Sequence, residues 1–235
     1  MNILAIGAHP DDLEIACYGT LARYVKEGNS VSVCHVSNGN LGHVIIEPDE
    51  LSKIRRAEAE KAAEIIGAKH YTLDIDDQYV DAADDEQVKK LVRVLREVKP
   101  DFIITHCEND YHRDHVQTYQ LVFRATCAAS LSHYNDETGL PPTEICPLYQ
   151  MDTLANTGFD PTEYVDITDT IELKLKALAC HESQIVWMKE HDKIDFIAFV
   201  RSSSKVRGYQ CGVAYAEGFR PDMHYGRMTT KRFLP

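Results

Sequence analysis

Residues 3 to 12 read Ile3-Leu4-Ala5-Ile6-Gly7-Ala8-His9-Pro10-Asp11-Asp12, a short aliphatic run that passes directly into a histidine and two carboxylates. An apolar run of this length, rich in aliphatics and followed by turn residues, predicts a buried first strand of the kind parallel sheets use. It puts His9, Asp11 and Asp12 at the C-terminal edge of the sheet, where open α/β sheets hold their ligands. Two readings of the motif stay open at this point. Imidazole nitrogen and carboxylate oxygen both suit Zn²⁺, and His9 and Asp12, spaced around the stiff Pro10, can reach one ion while Asp11 is left free beside it. Alternatively, the two residues end the strand and cap the next helix, a position that favours Asp.

Outward from this stretch, helical and strand patterns alternate. Leu13 to Glu27 has helical spacing closed by Gly28, and Ser30 to Val36 reads as a second strand. The loop Ser37-Asn38-Gly39-Asn40-Leu41-Gly42 then leaves the same sheet edge as His9. Leu51 to Ile66 is a helix ended by Gly67, with Arg55 and Arg56 in its early turns, either solvated or placed to clamp substrate oxygens. His70 to Leu73 predicts a third strand, and Asp74-Ile75-Asp76-Asp77 an acidic, solvated loop. Glu86 to Val98 is an amphipathic helix stopped before Pro100, and Phe102 to Thr105 a buried fourth strand. The order predicts an α/β chain: a Rossmann-like open, mostly parallel sheet with helices on both faces and its site at the C-terminal strand ends.

The fourth strand delivers a second cluster, His106-Cys107-Glu108-Asn109-Asp110-Tyr111-His112-Arg113-Asp114-His115, just before a helix with Val116, Tyr119, Leu121 and Val122 as its core stripe. Two such clusters on one sheet edge point to a metal site far more strongly than either alone. Residues 133 to 165 read as a loop-rich insertion that carries substrate selectivity, with Ile145 to Met151 as a late strand. Thr168-Asp169-Thr170 is expected to cap a helix through Ile171, Leu175 and Leu178, which runs into His181-Glu182-Ser183-Gln184. The tail from Arg207-Gly208 to Phe219 is expected to be loop-like.

At 235 residues, 44% hydrophobic and 26% charged, the chain suits one domain spanning 1–235. A formal net charge of −12 argues against nucleic acid or anionic membranes as partners, since phosphate binding needs clustered Lys and Arg. No segment has the apolar length of a membrane span. The seven cysteines form no CxxC pair and read as reduced thiols, and a cleaved signal peptide would remove His9 itself, so the expected location is the cytoplasm.

Taken together, AHPDD at 8–12 and the later His112-Arg113-Asp114-His115 resemble the two signatures of the PIG-L/LmbE family of zinc-dependent de-N-acetylases. Asn38-Gly39, Arg55 with Glu58, His181 with Ser183-Gln184, and Tyr215 to Phe219 resemble family positions in the same order, so the likeness covers nearly the whole chain. The resemblance implies His9, Asp12 and His115 as ligands of one Zn²⁺ per chain, replaceable by other divalent metals. It implies Asp11 as general base, His112 beside the oxyanion, oriented by Asp114, and Arg55, Asn38 and His181 toward the substrate. One departure stands out: Arg113 replaces the family's Pro. The implied substrate is an N-acetylglucosamine-type small molecule or conjugate, and the implied assembly a homo-oligomer, a trimer or hexamer. An amidase releasing a larger acyl group is the alternative within this chemistry. A Rossmann nucleotide-binding or methyl-transfer protein would need a Gly-rich first turn, and here that turn is Gly7-Ala8-His9-Pro10-Asp11.

Overall fold

The computed structural model describes residues 1–235. Its spine is one seven-stranded sheet of order β3-β2-β1-β4-β5-β7-β6. The strands are β1 (Asn2–Gly7), β2 (Ser30–Ser37), β3 (Lys69–Ile75), β4 (Phe102–Thr105), β5 (Leu148–Met151), β6 (Glu163–Asp166) and β7 (Ala216–Pro221). The pairings from β3 through β5 are parallel, and β7 pairs antiparallel with β5 and β6. The chain moves outward from β1 through β2 to β3, then returns to the other side of β1 as β4, so strand order reverses between β1 and β4. That switch point leaves a crevice at the C-terminal strand ends, and both clusters open into it.

Side chains alternate across β1, so Ile3 and Ala5 join one apolar core and Leu4 and Ile6 the other. The first core is closed by α2 (Tyr18–Lys26), α3 (Pro48–Ile66), α6 (Ile171–Leu178), the short α7 (Glu182–Trp187) through Ile185, and α8 (Phe196–Cys211), the second by α4 (Asp85–Val98) and α5 (Arg113–Ser130). Asp84 caps α4 with its carboxylate on the Glu86 and Gln87 amides. No helix is long and apolar enough to cross a membrane.

Four expectations change. The helix expected over Leu13 to Glu27 is two, α1 (Asp12–Ala16) and α2, broken at Cys17. The break frees the amides of Gly19 and Thr20 to donate to the Glu217 carboxylate at 2.9 and 2.7 Å, and Lys174 pairs with the same carboxylate. Gly19 has no room for a side chain, because a Cβ there would lie 2.8 Å from Ile167. Glu217 belongs to β7, so the tail expected to be loop-like is the end of α8 followed by a strand. The 133–165 segment also contains β6, and its late strand is limited to β5. Finally, the Thr168–Thr170 cluster makes no side-chain cap: Thr170 donates its hydroxyl to the Gly19 and Ile167 carbonyls instead.

Candidate active site

The cavity at the switch point has a volume of ≈ 230 Å³, with a polar floor that includes His9, Asp11, Asp12, His112 and His115 and an apolar side that includes Met151 and Phe196. The floor is shaped by the turn after β1. Asp11 has φ 115°, ψ −26°, a conformation that costs an L-residue on the order of 1–3 kcal/mol and that clusters at functional sites. In the same turn the His9 amide donates to Asp12 Oδ2 at 2.6 Å.

Asp12 stands between two imidazoles. Its Oδ2 lies 3.3 Å from His9 Nδ1 and its Oδ1 3.3 Å from His115 Nε2. The opposite nitrogen of each ring meets another carboxylate: His9 Nε2 is 3.1 Å from Asp77 Oδ1, and His115 Nδ1 is 3.0 Å from Asp110 Oδ1. Burial works against charge on these rings, but the carboxylates outweigh it, raising His9 well above the usual histidine range and His115 to about 9. Asp12 is correspondingly held well below the carboxylate range, burial being overcome by His115 and His106.

This arrangement fits a cation. Two donors about 2.0–2.1 Å from a tetrahedral ion sit roughly 3.3 Å apart, the spacing on either side of Asp12. Imidazoles backed by carboxylates on their far nitrogens are the usual second layer of such sites. The positive charge the carboxylates demand at His9 and His115 is one a metal supplies in place of two protons. Three groups of donor atoms lie within 4.8 Å of one another: His9–His112–His115, Asp12–His106–His115 and His9–Asp77–Asp114. The triad His9–Asp12–His115 is not itself one of them: His115 is common to the first two, Asp12 belongs to the second alone, and Asp12 meets His9 and His115 through different oxygens. In the second group, His106 Nε2 already accepts the Ala8 amide at 2.9 Å, and burial with the neighbouring His115 charge lowers that ring to about 4.

Asp11 and His112 line the cavity with fewer partners. Burial pushes Asp11 up to about 6 against the pull of Arg55, whose guanidinium lies 3.3 Å from its Oδ2. His112 Nδ1 accepts the Asp114 amide at 3.2 Å, which leaves the proton on Nε2. Burial and the charges of His9 and His115 lower its pKa, so it is a neutral donor.

Several predicted roles move. The Asp114 carboxylate does not orient His112. It accepts from the Gln78 amide and Arg113, 3.5 Å from His9 Nε2, and only the Asp114 backbone touches His112. Arg113, in the position of the missing Pro, also donates to the Gln78 and Val80 carbonyls. Arg55 reaches the cavity with its guanidinium engaged: besides Asp11 it holds the carbonyls of Pro10 and Gly39. It packs so closely on Gly39 (φ 66°) that a Cβ there would lie 2.3 Å from Nη1. Asn38 is off the cavity wall, donating to Asp74 and Asp76 and accepting from Asn40. His181 is fully buried, 3.1 Å from Glu14, and lies behind the site rather than in it. Asp77, expected to be solvated, and Asp110, never singled out, are the carboxylates behind the two imidazoles.

Such a switch-point site, with a metal-type donor set and a separate carboxylate, is that of a hydrolytic enzyme built on an open, mostly parallel α/β sheet. Within that class, the chain belongs to the GlcNAc-PI de-N-acetylase family (PIG-L), whose profile matches residues 4–126, just over half its length. The N,N′-diacetylchitobiose deacetylase of Pyrococcus horikoshii superposes with a TM-score of 0.79 at 30% identity, covering 94% of this chain and 83% of that one. The 1D-myo-inositol 2-acetamido-2-deoxy-alpha-D-glucopyranoside deacetylase of Kineococcus radiotolerans is 25% identical, with 96% of this chain and 82% of the relative covered. The 4-oxalmesaconate hydratase of Pseudomonas putida is 26% identical, covering 93% of this chain and 88% of the relative.

Proposed function

We propose that the protein is a zinc-dependent N-deacetylase that hydrolyses the acetamide of an N-acetylglucosamine-type small molecule or conjugate, giving acetate and a free amine. The observation that carries this reading is the division of labour within one turn: Asp12 is clasped between carboxylate-backed imidazoles, whereas Asp11 next to it faces the cavity with Arg55 as its ion-pair partner.

His9, Asp12 and His115 hold one ion per chain, for which other divalent metals substitute. When bound, the ion supplies Lewis acidity toward water and the amide carbonyl. Asp11 takes the proton of the attacking water as its oxygen adds to the carbonyl carbon, and Arg55 keeps that carboxylate aimed. His112 donates its Nε2 proton as a hydrogen bond to the oxyanion, as a neutral ring rather than the imidazolium. Asp11 then gives the proton to the departing nitrogen as the C–N bond breaks, acting as base and then acid.

Hydration of a carboxylated alkene, which the hydratase relative's name suggests, suits this cavity less well. Anionic groups would face Asp11, Asp12, Asp77, Asp110 and Asp152, with one arginine that is already paired. The test is incubation of zinc-loaded and metal-stripped protein with N-acetylated amino sugars, free and conjugated, with acetate and amine measured together. Equimolar acetate and amine from the loaded protein alone is the expected result. No acetate from any of them, with hydration of an unsaturated carboxylate, overturns the proposal.

A further inference from the structure

Beside the polar cavity lies a second one of ≈ 340 Å³, and the two share Tyr111, Leu154, Met188 and Phe196 along their common wall. Its far side is made by Ile194 and Phe199, with Ala155 and Thr157 completing it. The Thr157 hydroxyl is already committed to the Leu154 carbonyl at 3.2 Å. Apart from the Tyr111 hydroxyl at the shared edge, no side chain there has an uncommitted O–H or N–H to donate.

The volumes are informative. Small-molecule sites span about 300–1,000 Å³, so the polar cavity alone falls short and the two joined fall within the range. Their chemistry differs sharply, one holding the reacting groups and the other hydrocarbon. A second sugar ring in the apolar cavity would lose water from several hydroxyls without finding donors there to replace it, an uncompensated desolvation. An aryl or alkyl group would instead gain from the apolar surface it takes out of water.

Building on the proposed deacetylation, we infer that the substrate has two parts, an N-acetylated sugar on the polar floor and an apolar aglycone, aryl or short alkyl, held by Leu154, Met188, Ile194, Phe196 and Phe199. The chain thereby differs in acceptor preference from relatives named for a disaccharide. Ile194, on the exposed rim and remote from the reacting groups, determines that preference.

The experiment compares acetate release from N-acetylglucosamine, diacetylchitobiose and a phenyl N-acetylglucosaminide by the zinc-loaded protein and by Ile194→Asp. Calorimetry of the deacetylated phenyl glucosaminide and of chitobiose amine gives binding without turnover. The expected result is a kcat/KM for the phenyl glycoside about tenfold or more above the other two, the order of discrimination an apolar pocket supplies, lost in Ile194→Asp mainly through KM. Acetate release that is indifferent to the aglycone and to Ile194→Asp overturns the inference and leaves deacetylation standing. Binding of the phenyl glucosaminide that Ile194→Asp weakens, without acetate from any substrate, upholds the pocket and removes the deacetylase reading instead.

Discussion

Two of the regions in which this molecule buries charge do so to different ends. At the junction of β1 and β4, His9, Asp12 and His115 sit among Asp77, Asp110 and Asp114, and the cluster opens on a cavity through Asp11 and His112. At the antiparallel edge, Lys174 and Glu217 have side chains 1% and 2% exposed and are closed on each other and on the start of α2. Both are networks of opposite charges with little exposed surface. The difference lies in access: one keeps a titratable group facing solvent, and the other keeps none. A buried charge marks chemistry where something outside can reach it, and otherwise marks architecture.

Mutations that separate activity from stability sharpen this contrast, and the largest effect falls on the open network. Asp11→Asn keeps the shape and metal content of the site but removes the base, so kcat drops by about a hundred- to ten-thousandfold. In the wild type, the acidic limb of kcat/KM should lie at or below about 6, the carboxyl of Asp11 being protonated below that value and a nearby cation drawing it lower still. Steady-state kinetics across pH check both points, and a variant with full kcat and the limb in place would return the base to another residue. Glu217→Gln strands Lys174 in the interior and should cost about 3–5 kcal/mol of stability in a denaturant melt, while metal content and kcat of the folded fraction hold. Loss of kcat in proportion to stability would instead join the two networks. The smallest effect is that of Asp77→Asn, expected to weaken metal affinity by about 10–100-fold in a chelator competition with little change in kcat once metal saturates.

The same contrast explains what could be read from the chain alone. His9, Asp12, His112 and His115 come in short local motifs, each at the end of an aliphatic strand, so their edge of the sheet was legible from spacing. Asp77 was not, because a carboxylate in an Asp-rich loop looks solvated until β3 sets it against a histidine 68 residues earlier. The break at Cys17 was hidden for a like reason. Local spacing favours one helix, and the carboxylate that rewards two lies on β7, 198 residues after Gly19. Strands β6 and β7 break up their few apolar residues with Glu, Tyr, Gly and Pro, and their pairing is antiparallel, so they lack the aliphatic run that betrayed β1 and β4. For Asn38, Asp114 and His181 the residue type suited the assigned role and the direction of the side chain did not.

The pairing of β4 with β1, Ile3 against Phe102 through Ile6 against Thr105, is also what brings His115 to His9 and Asp12. In an unfolded chain the first two proposed ligands remain near each other, but the third is far away, so an ion binds the folded form by preference. Under the proposed ligand set, folding and metal supply would be linked: free ion at a hundred times its dissociation constant would add about 2.7 kcal/mol to the stability of the native state. A cell short of the metal would hold this chain closer to unfolding and expose it to proteolysis, so its abundance as well as its activity would follow the cation.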